Sequence, residues 1–307
     1  MPLRKNLRDF TMGADPEFIA VKGGKGSNAC YGCDFCKNDS DLDSLGADGC
    51  GTLIEIRPDP SNDPIELVTT MRQILMGQMV DKNELRHFQW FAGSHYVEED
   101  ENVHGDEPGR YPMGGHIHFG INRRLIGGRF STKLLSQYVG LSSCLIEDKN
   151  QGYLRRNGGP HWGNYGGFND FRTQPYGFEY RTPSSWLTSP YVAAAILCLG
   201  KVVMYEVINN SSFEPSEFIT HEDVRKMNTR KMRAKFQGMW QEVSQMALYP
   251  FYQHYLSLIP FLVKHRLTWF PKCSMKEAWG VHVSETPHRP VTLDSIWANY
   301  NRQTSHD

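Results

Sequence analysis

The sequence predicts an α+β fold, a curved and mainly antiparallel sheet with helices packed on its outer face. Two observations predict this class. Short β-type segments with one polar and one apolar face occupy the first two thirds of the chain, and helical periodicity dominates the last third. The 307 residues, 39% of them hydrophobic, are enough to bury a large core. We expect one domain, with a sheet core over 11–190 that includes a cysteine-rich loop at 30–50, a helical part over 191–284 and a polar tail over 285–307.

Composition and charge argue against several classes of protein. The 33 basic and 34 acidic residues leave a formal net charge of −1, whereas a non-specific nucleic-acid binder is strongly basic. The longest apolar run, 191–200, reaches only half of the ~20 residues that a membrane helix needs, so no span is predicted. The N-terminus lacks the apolar segment of a secretory signal. Seven cysteines, an odd count, in a chain without such a signal predict a reduced, cytoplasmic protein.

Four helical regions are predicted from capping residues and from a 3.6-residue apolar repeat. The first runs from Pro64, which suits a first helical turn, to about Met79. The second starts after Ser131, and the third starts after Ser189 and continues to about residue 208. The fourth covers 220–266, and we expect it to break near its two later prolines.

Four predicted strands carry the polar residues of interest, within 13–20, 53–58, 115–121 and 177–182. Because side chains alternate along a strand, residues two apart share a face. In each segment one face is apolar and the other carries a pair of ionisable side chains. These pairs are Asp15 with Glu17, Glu55 with Arg57, His116 with His118, and Glu179 with Arg181.

The identity of these polar residues indicates a binding surface. A single strand of this kind is most simply half of a solvated sheet face. Four such strands together, however, carry only Asp, Glu, His and Arg, without the Lys, Ser and Thr of an ordinary wet face. Carboxylates with a histidine suit Mg²⁺ or Mn²⁺, and arginine suits phosphate or carboxylate. The pattern therefore predicts a sheet face that holds divalent cations and anionic groups.

The same segments carry a family resemblance. GADPEF, EIRPDP, GGHIHFG and EYRTPSSW, in this order, resemble the carboxylate–amine ligases of the glutamine synthetase and glutamate–cysteine ligase superfamily. More closely they resemble the phage-type COOH–NH2 ligase family (type 2). The resemblance covers about 11–190 and implies a glutamine-synthetase-like sheet within one catalytic domain over 1–307. It also implies an ATP- and Mg²⁺-dependent enzyme that forms an amide bond through an acyl phosphate.

The resemblance implies ligands for two or three Mg²⁺ (or Mn²⁺) ions. Glu17 and Glu55 would hold the ion that serves the acceptor substrate, and Asp48 would be a third ligand of that ion. The remaining implied ligands would serve the ion that bridges the ATP phosphates. The complete implied set is Asp15, Glu17, Asp48, Glu55, His116 and Glu179.

The resemblance also implies which residues meet ATP and the reacting groups. Arg181 would face the substrate carboxylate or the transferred phosphoryl group, and Arg172 would clamp phosphate. Arg57 departs from the better-known enzymes, so its role stays open, although we count it with Arg181 and Arg172 as catalytic. The stretch before the last predicted strand contains Arg155, Arg156 and Arg172. Its simpler interpretation is a glycine-rich loop with arginines on the surface. The implied ATP-binding residues are His118, Tyr165, Arg155, Arg156 and Arg172.

A second metal site is suggested by cysteine spacing. Cys30, Cys33 and Cys36 are each separated by two residues, and Cys50 follows in the same predicted loop. Four thiolates at such spacing suit structural Zn²⁺. An iron–sulfur cluster fits the spacing as well, and four unligated cysteines in a loop are the third interpretation.

Two other functions compete with the ligase. One is a metal-dependent hydrolase or phosphotransferase that uses the same carboxylate and histidine face. The other is a non-catalytic, zinc-stabilised binding protein that has kept the fold. The sequence does not identify the acid and the amine of a ligase, so small molecules, peptides and modified nucleobases all stay open as substrates. Nucleic acid is expected only as a substrate, no membrane partner is expected, and the oligomeric state is not predicted.

Overall fold

The computed structural model describes residues 9–22, 44–48, 51–81, 87–98, 110–121, 128–158, 165–210, 212–213, 216–268 and 275–281. Its main feature is a seven-stranded sheet in which every pairing is antiparallel. The seven strands are β1 (Thr11–Val21), β2 (Leu45–Asp48), β3 (Leu53–Ile56), β4 (Gln89–Phe91), β7 (Gly115–Gly120), β8 (Phe171–Gln174) and β9 (Gly177–Tyr180). Six of them follow the order β2-β3-β1-β7-β9-β8, and β4 pairs with the C-terminal end of β1.

A smaller hairpin lies beside this sheet. It consists of β5 (His95–Val97) and β6 (Arg110–Pro112), which pair in antiparallel fashion. Tyr96 and Tyr111 face each other across the hairpin and pack with Ile19 and Met113 in a small apolar cluster.

Helices cover the apolar face of the large sheet. The main-sheet side chains Met12, Ile117 and Phe119 are fully buried, and Gly200 in the middle of α5 lies against all three. The described helices are α1 (Pro64–Asp81), α2 (Gly128–Leu135), α3 (Leu141–Ile146), α4 (Lys149–Asn157), α5 (Pro190–Asn209), α6 (His221–Arg225), α7 (Thr229–Gln245), α8 (Tyr249–Leu256), α9 (Leu258–His265) and α10 (Met275–Ala278). A π-helical turn, Ser136–Gly140, joins α2 to α3.

The predicted α+β class is confirmed, and most helix starts follow their local signals. Ser189 caps α5 by accepting the backbone N–H of Val192, and Thr220 forms a capping box at the start of α6. The second helix starts at Gly128, earlier than predicted. The predicted breaks in 220–266 occur as expected, because Pro250 lies in the first turn of α8 and Pro260 near the start of α9.

Helix α5 is the central element of the core. By length and composition it is apolar enough to cross a membrane, with a mean hydropathy of 1.8 over its best 18-residue window. In the structure, 89% of that window is buried inside the protein. Such burial against the sheet is typical of the core helix of a globular fold.

Candidate active site

The strand register brings the predicted polar side chains onto adjacent strands. Because all the pairings are antiparallel, residues opposite each other present their side chains on the same face. The motifs therefore converge although up to about 160 residues separate them in sequence. The opposed pairs are Glu17 with Glu55, Asp15 with His116, His118 with Glu179, and Arg172 with Glu179.

Asp15, His116 and Glu179 form a compact group of potential metal ligands. Their ligand atoms all lie within 4.8 Å of one another. The Nδ1 atom of His116 is 3.3 Å from Asp15 Oδ1 and 3.4 Å from Glu179 Oε1. Neighbouring ligands of an octahedral Mg²⁺ ion at ~2.1 Å are about 3.0 Å apart. A contraction of a few tenths of an ångström would therefore bring His116 and each carboxylate to adjacent positions around one ion.

The hydrogen bonding of this group fits a cation. Asp15 Oδ1 and Glu179 Oε1 are buried and, among the described residues, receive no hydrogen bond of good geometry, although His118 Nε2 lies 2.9 Å from the first and Arg181 Nε 3.0 Å from the second. Buried carboxylate oxygens normally have such a partner or coordinate a metal. Two acidic oxygens and an imidazole nitrogen form a donor set that Mg²⁺ and Mn²⁺ accept. The residues present thus fit the ion that the family resemblance implies.

His118 lies on the outer side of the same group. Its Nε2 is 2.9 Å from Asp15 Oδ1. Burial raises the pKa of Asp15. The attraction of His118 and His116 for the carboxylate is larger than this effect and holds the pKa of Asp15 well below its usual value. Burial also opposes protonation of His118, yet Asp15 raises the pKa of His118 above its ordinary value.

Tyr176, in the turn between β8 and β9, contacts His118 and was not predicted. Its hydroxyl hydrogen-bonds to His118 Nδ1, and the two rings stack with centroids 5.8 Å apart. The side chain is 46% exposed, so it forms part of the rim of the site. A lone tyrosine in a turn carries no local sequence signal for such a contact.

Glu17 lies in a different and more enclosed position. It is 1% exposed, and its Oε2 accepts the backbone N–H of Gly114 at 2.5 Å. Tyr165 Oη is 3.2 Å from both carboxylate oxygens of Glu17 and 3.1 Å from His116 Nε2. Burial, reinforced by Glu17, raises the pKa of Tyr165 well above its ordinary value, which keeps the phenol protonated. Tyr165 therefore connects Glu17 to the Asp15 group.

Glu55 and Arg57 extend the polar face toward β2. Arg57 Nη2 is 3.1 Å from Glu55 Oε2, and its guanidinium lies over Gly46, where a Cβ atom would overlap it. The predicted ligand Asp48 pairs through its backbone with Leu53, and its side chain lies outside the described part of the structure. Glycine at position 46 is thus what lets Arg57 fold down onto the sheet.

Arg181 and Arg172 both contact Glu179. Arg181 Nε is 3.0 Å from Glu179 Oε1, and Arg172 Nη1 is 3.4 Å from Oε2. Arg172 is 58% exposed, so most of its guanidinium is available to an anion. Gln174 also donates to Glu179 Oε2, at 3.1 Å. Gln174 was not predicted, although its position two residues after Arg172 places both side chains on the same face of β8.

Arg155 and Arg156 do not occupy the predicted ATP-binding position. Both are buried in the last turn of α4. Arg155 donates to the carbonyls of residues 181–183 at 3.0–3.1 Å. Arg156 forms a 2.8 Å ion pair with the buried Glu147 and donates to the carbonyl of Gly166. Their guanidinium groups are used inside the protein, so these contacts support the loop behind the site and leave no clamp for phosphate.

The predicted zinc ligands Cys30, Cys33, Cys36 and Cys50 lie outside the described residues, and a metal there stays a prediction. Within the described part of the chain, Cys144 and Cys198 are buried free thiols. Burial raises the pKa of Cys144 to about 12 and that of Cys198 well above its usual value, so both thiols are unreactive.

The antiparallel sheet thus carries a polar face of carboxylates, histidines and arginines, a combination that suits divalent cations and anionic groups. The chain matches the family model described as phage phiEco32-like COOH·NH2 ligase-type 2 over residues 12–281, and it belongs to that family. No curated protein sequence matches it significantly.

Similarity to a solved structure of a ligase, PafA, supports the fold. A crystal structure of the prokaryotic ubiquitin-like protein Pup with its ligase PafA matches 97% of this chain and 69% of the other, with a TM-score of 0.56 and 8% identity. A bifunctional glutathione synthetase from Pasteurella multocida matches 96% of this chain and 51% of its own, with a TM-score of 0.40 and 11% identity. At these identities the likeness to PafA concerns the fold.

Proposed function

We propose that this protein is an ATP- and Mg²⁺-dependent ligase that joins a carboxylic acid to an amine through an acyl-phosphate intermediate. The observation that carries the proposal is the group formed by Asp15, His116 and Glu179, whose ligand atoms lie within 4.8 Å of one another. Membership of the COOH–NH2 ligase family supports the reaction type.

The proposed reaction has two steps. A carboxylate oxygen of the acid attacks the γ-phosphorus of ATP, and the bond to the ADP oxygen breaks. The amine nitrogen then attacks the acyl carbon, inorganic phosphate leaves with the bonding electrons, and the nitrogen releases one proton. Phosphoryl transfer of this kind depends on positioning and charge stabilisation more than on covalent help from the protein.

Different strands of the sheet would supply the ligands for the two proposed metal ions. Asp15, His116 and Glu179 would hold the nucleotide-side ion, which neutralises the phosphate oxygens when it is bound. Glu17 and Glu55, paired across β1 and β3, would hold the acceptor-side ion. Fixed strands keep these ligands in place without reorganisation.

The arginines supply the anion-binding part of the proposal. Arg172, exposed at the β8 edge, would bind a phosphate of ATP, and His118 lies two strands inward, on β7. Arg181 lies between the Glu179 carboxylate and the ring of Tyr165, where it would face the transferred phosphoryl group or the substrate carboxylate. Arg57 lies at the opposite end, beside Glu55, where the acid substrate would enter.

The substrates are proposed only by class. The site calls for an acid and an amine, either of which can be a small molecule, a peptide or a modified nucleobase. We place the protein in the cytoplasm, where ATP and reduced thiols are available.

The proposal is tested by calorimetric titration of ATP, with and without Mg²⁺, into the wild type and Glu179→Gln. We expect Mg²⁺-dependent binding that Glu179→Gln weakens by at least tenfold. The matched control is Glu206→Gln, which changes a buried carboxylate at the end of α5, away from the site. Absence of nucleotide binding under any divalent metal would refute the ligase.

A second assay separates the ligase from the hydrolase. ADP release is followed while acids and amines are supplied singly and together. A ligase releases ADP at full rate only when both are present, whereas a hydrolase releases its product, and a phosphotransferase releases ADP, without an amine.

A further inference from the structure

We infer that Tyr165 is a positioning residue, which sets the tautomer of His116 and so directs the Nδ1 lone pair of that ring at the metal position. The inference rests on the proposed function, because it takes His116 as a ligand of the nucleotide-side ion. It goes beyond that function because Tyr165, which the family resemblance implies is an ATP-binding residue, would instead act through its hydrogen bonds to Glu17 and His116.

The hydrogen-bond geometry assigns the protons. A phenol has a single O–H donor and an oxygen that also accepts. Both oxygens of Glu17 lie 3.2 Å from Tyr165 Oη, and an ionised carboxylate can only accept, so the phenol proton points to Glu17. The phenol oxygen is then left to accept from His116 Nε2, which lies 3.1 Å away. His116 must therefore carry a proton on Nε2.

The assigned proton decides which nitrogen can bind a cation. A neutral imidazole protonated at Nε2 has its free lone pair on Nδ1. That Nδ1 is the atom that lies 3.3 Å from Asp15 and 3.4 Å from Glu179. Metal-binding histidines commonly have their second ring nitrogen held in this way by an outer hydrogen bond, whose loss costs 10–100-fold in affinity. Tyr165 accepts this outer hydrogen bond from His116 and donates its own proton to Glu17.

The position of the Tyr165 ring is held from several sides. The guanidinium carbon of Arg155 lies 4.5 Å from the ring centroid, and that of Arg181 lies 4.9 Å from it. Arg155 is itself fixed by three backbone carbonyls. Gly114 completes the enclosure, because a Cβ atom there would overlap both His116 Nε2 and Tyr165 Oη. These contacts leave the hydroxyl little freedom to turn away from His116.

The test compares Tyr165→Phe with Tyr180→Phe. Tyr180 is also fully buried, but its hydroxyl bonds to Ser136 on the apolar side of the sheet. Nitrogen-15 NMR of the metal-free protein, at a pH alkaline enough for a neutral imidazole, reads the tautomer of His116, with the signal assigned through His116→Gln. Titration with Mn²⁺, followed by electron paramagnetic resonance, then measures metal affinity.

We expect the wild type and Tyr180→Phe to hold His116 with its proton on Nε2 and to bind Mn²⁺ equally. Tyr165→Phe should lose this single tautomer and weaken Mn²⁺ binding by about 10–100-fold. A proton on Nδ1 in the wild type, or an unchanged tautomer and affinity in Tyr165→Phe, would overturn the inference. The NMR result does not depend on catalysis, so failure to find ATP-dependent ligation would count against the proposed function alone.

Discussion

Replacing Arg155 by methionine should destabilise the fold strongly, and the size of the loss separates a buried support from a phosphate clamp. Methionine keeps much of the side-chain volume and removes the charge and all five donors. The change removes one donor from each of three carbonyls, those of Arg181, Thr182 and Pro183. Thr182 O keeps Arg156 Nη2 at 3.4 Å and Pro183 O keeps the backbone N–H of Gly115 at 3.1 Å. It also removes the cation over the ring of Tyr165.

The expected magnitude follows from these contacts. Hydrogen bonds from a charged group contribute about 1.5–3 kcal/mol each, but three that share one guanidinium are not additive. Removing the burial cost of the guanidinium itself offsets part of the loss. We therefore expect Arg155→Met to lower the free energy of unfolding by about 2–4 kcal/mol, a large share of the ~5–15 kcal/mol typical of a domain.

The assay is urea unfolding of the nucleotide-free protein, followed by circular dichroism. Arg155→Lys keeps the charge but not the planar guanidinium, and it should lower the free energy of unfolding by an intermediate amount. Arg225→Met, on an exposed face of α6, is the control and should leave the unfolding midpoint unchanged. If Arg155→Met unfolds at the wild-type midpoint and instead loses ATP affinity, the assignment of Arg155 as a buried support is wrong.

Three further predictions concern other parts of the structure. Gly114→Ala should weaken Mn²⁺ binding by at least tenfold in a metal titration, because the new methyl group would overlap His116 Nε2 and Tyr165 Oη and so displace the ligand and its hydrogen-bond partner. Burial lowers the pKa of His95 from 6.5 to about 4, so the unfolded chain alone takes up a proton in this range. The contribution of His95 should therefore lower the free energy of unfolding by about 3 kcal/mol between pH 6.5 and pH 4, as measured by urea unfolding at each pH. Tyr176→Phe should keep the ring stack on His118 but lose one hydrogen bond, which raises the Kd for ATP about fivefold in calorimetry.

Each of these three has a matched control. Gly238→Ala adds the same methyl group in α7, where the nearest atom beyond its own helix lies 3.8 Å away, and should leave metal binding intact. His95→Gln should show a shallower loss of stability with acid than the wild type. An equal loss in both proteins would contradict the predicted role of His95. Tyr153→Phe, an exposed tyrosine on α4, should bind ATP as the wild type does.

Much of the site could be predicted because strand alternation is a local property. The residue sequence places Asp15 and Glu17 on one face of a strand whatever surrounds that strand, and the same holds for His116 and His118. The adjacency of these strands is not local, and it was expected only through the family resemblance. The register then decides that Asp15 lies opposite His116, which a shift of one residue would have abolished.

The arginines show where sequence reasoning stops. Arg155, Arg156 and Arg172 look alike in a sequence, as basic residues within or beside a glycine-rich stretch. Arg172 lies at a sheet edge and stays exposed, whereas α4 turns Arg155 and Arg156 inward onto backbone carbonyls and Glu147. Whether a guanidinium meets a ligand or the protein's own backbone depends on what encloses it.

Strand periodicity was enough to predict the chemistry of the polar face, since the period of two along each strand separates carboxylates, histidines and arginines from apolar residues without reference to the rest of the chain. Which of these groups act together depends on the folded chain. It brought Tyr165 between Glu17 and His116, and it used Arg155 to hold residues 181–183. The physical reason is that hydrogen bonds and ion pairs act over a few ångströms, and only the folded chain sets distances of that size between residues far apart in sequence.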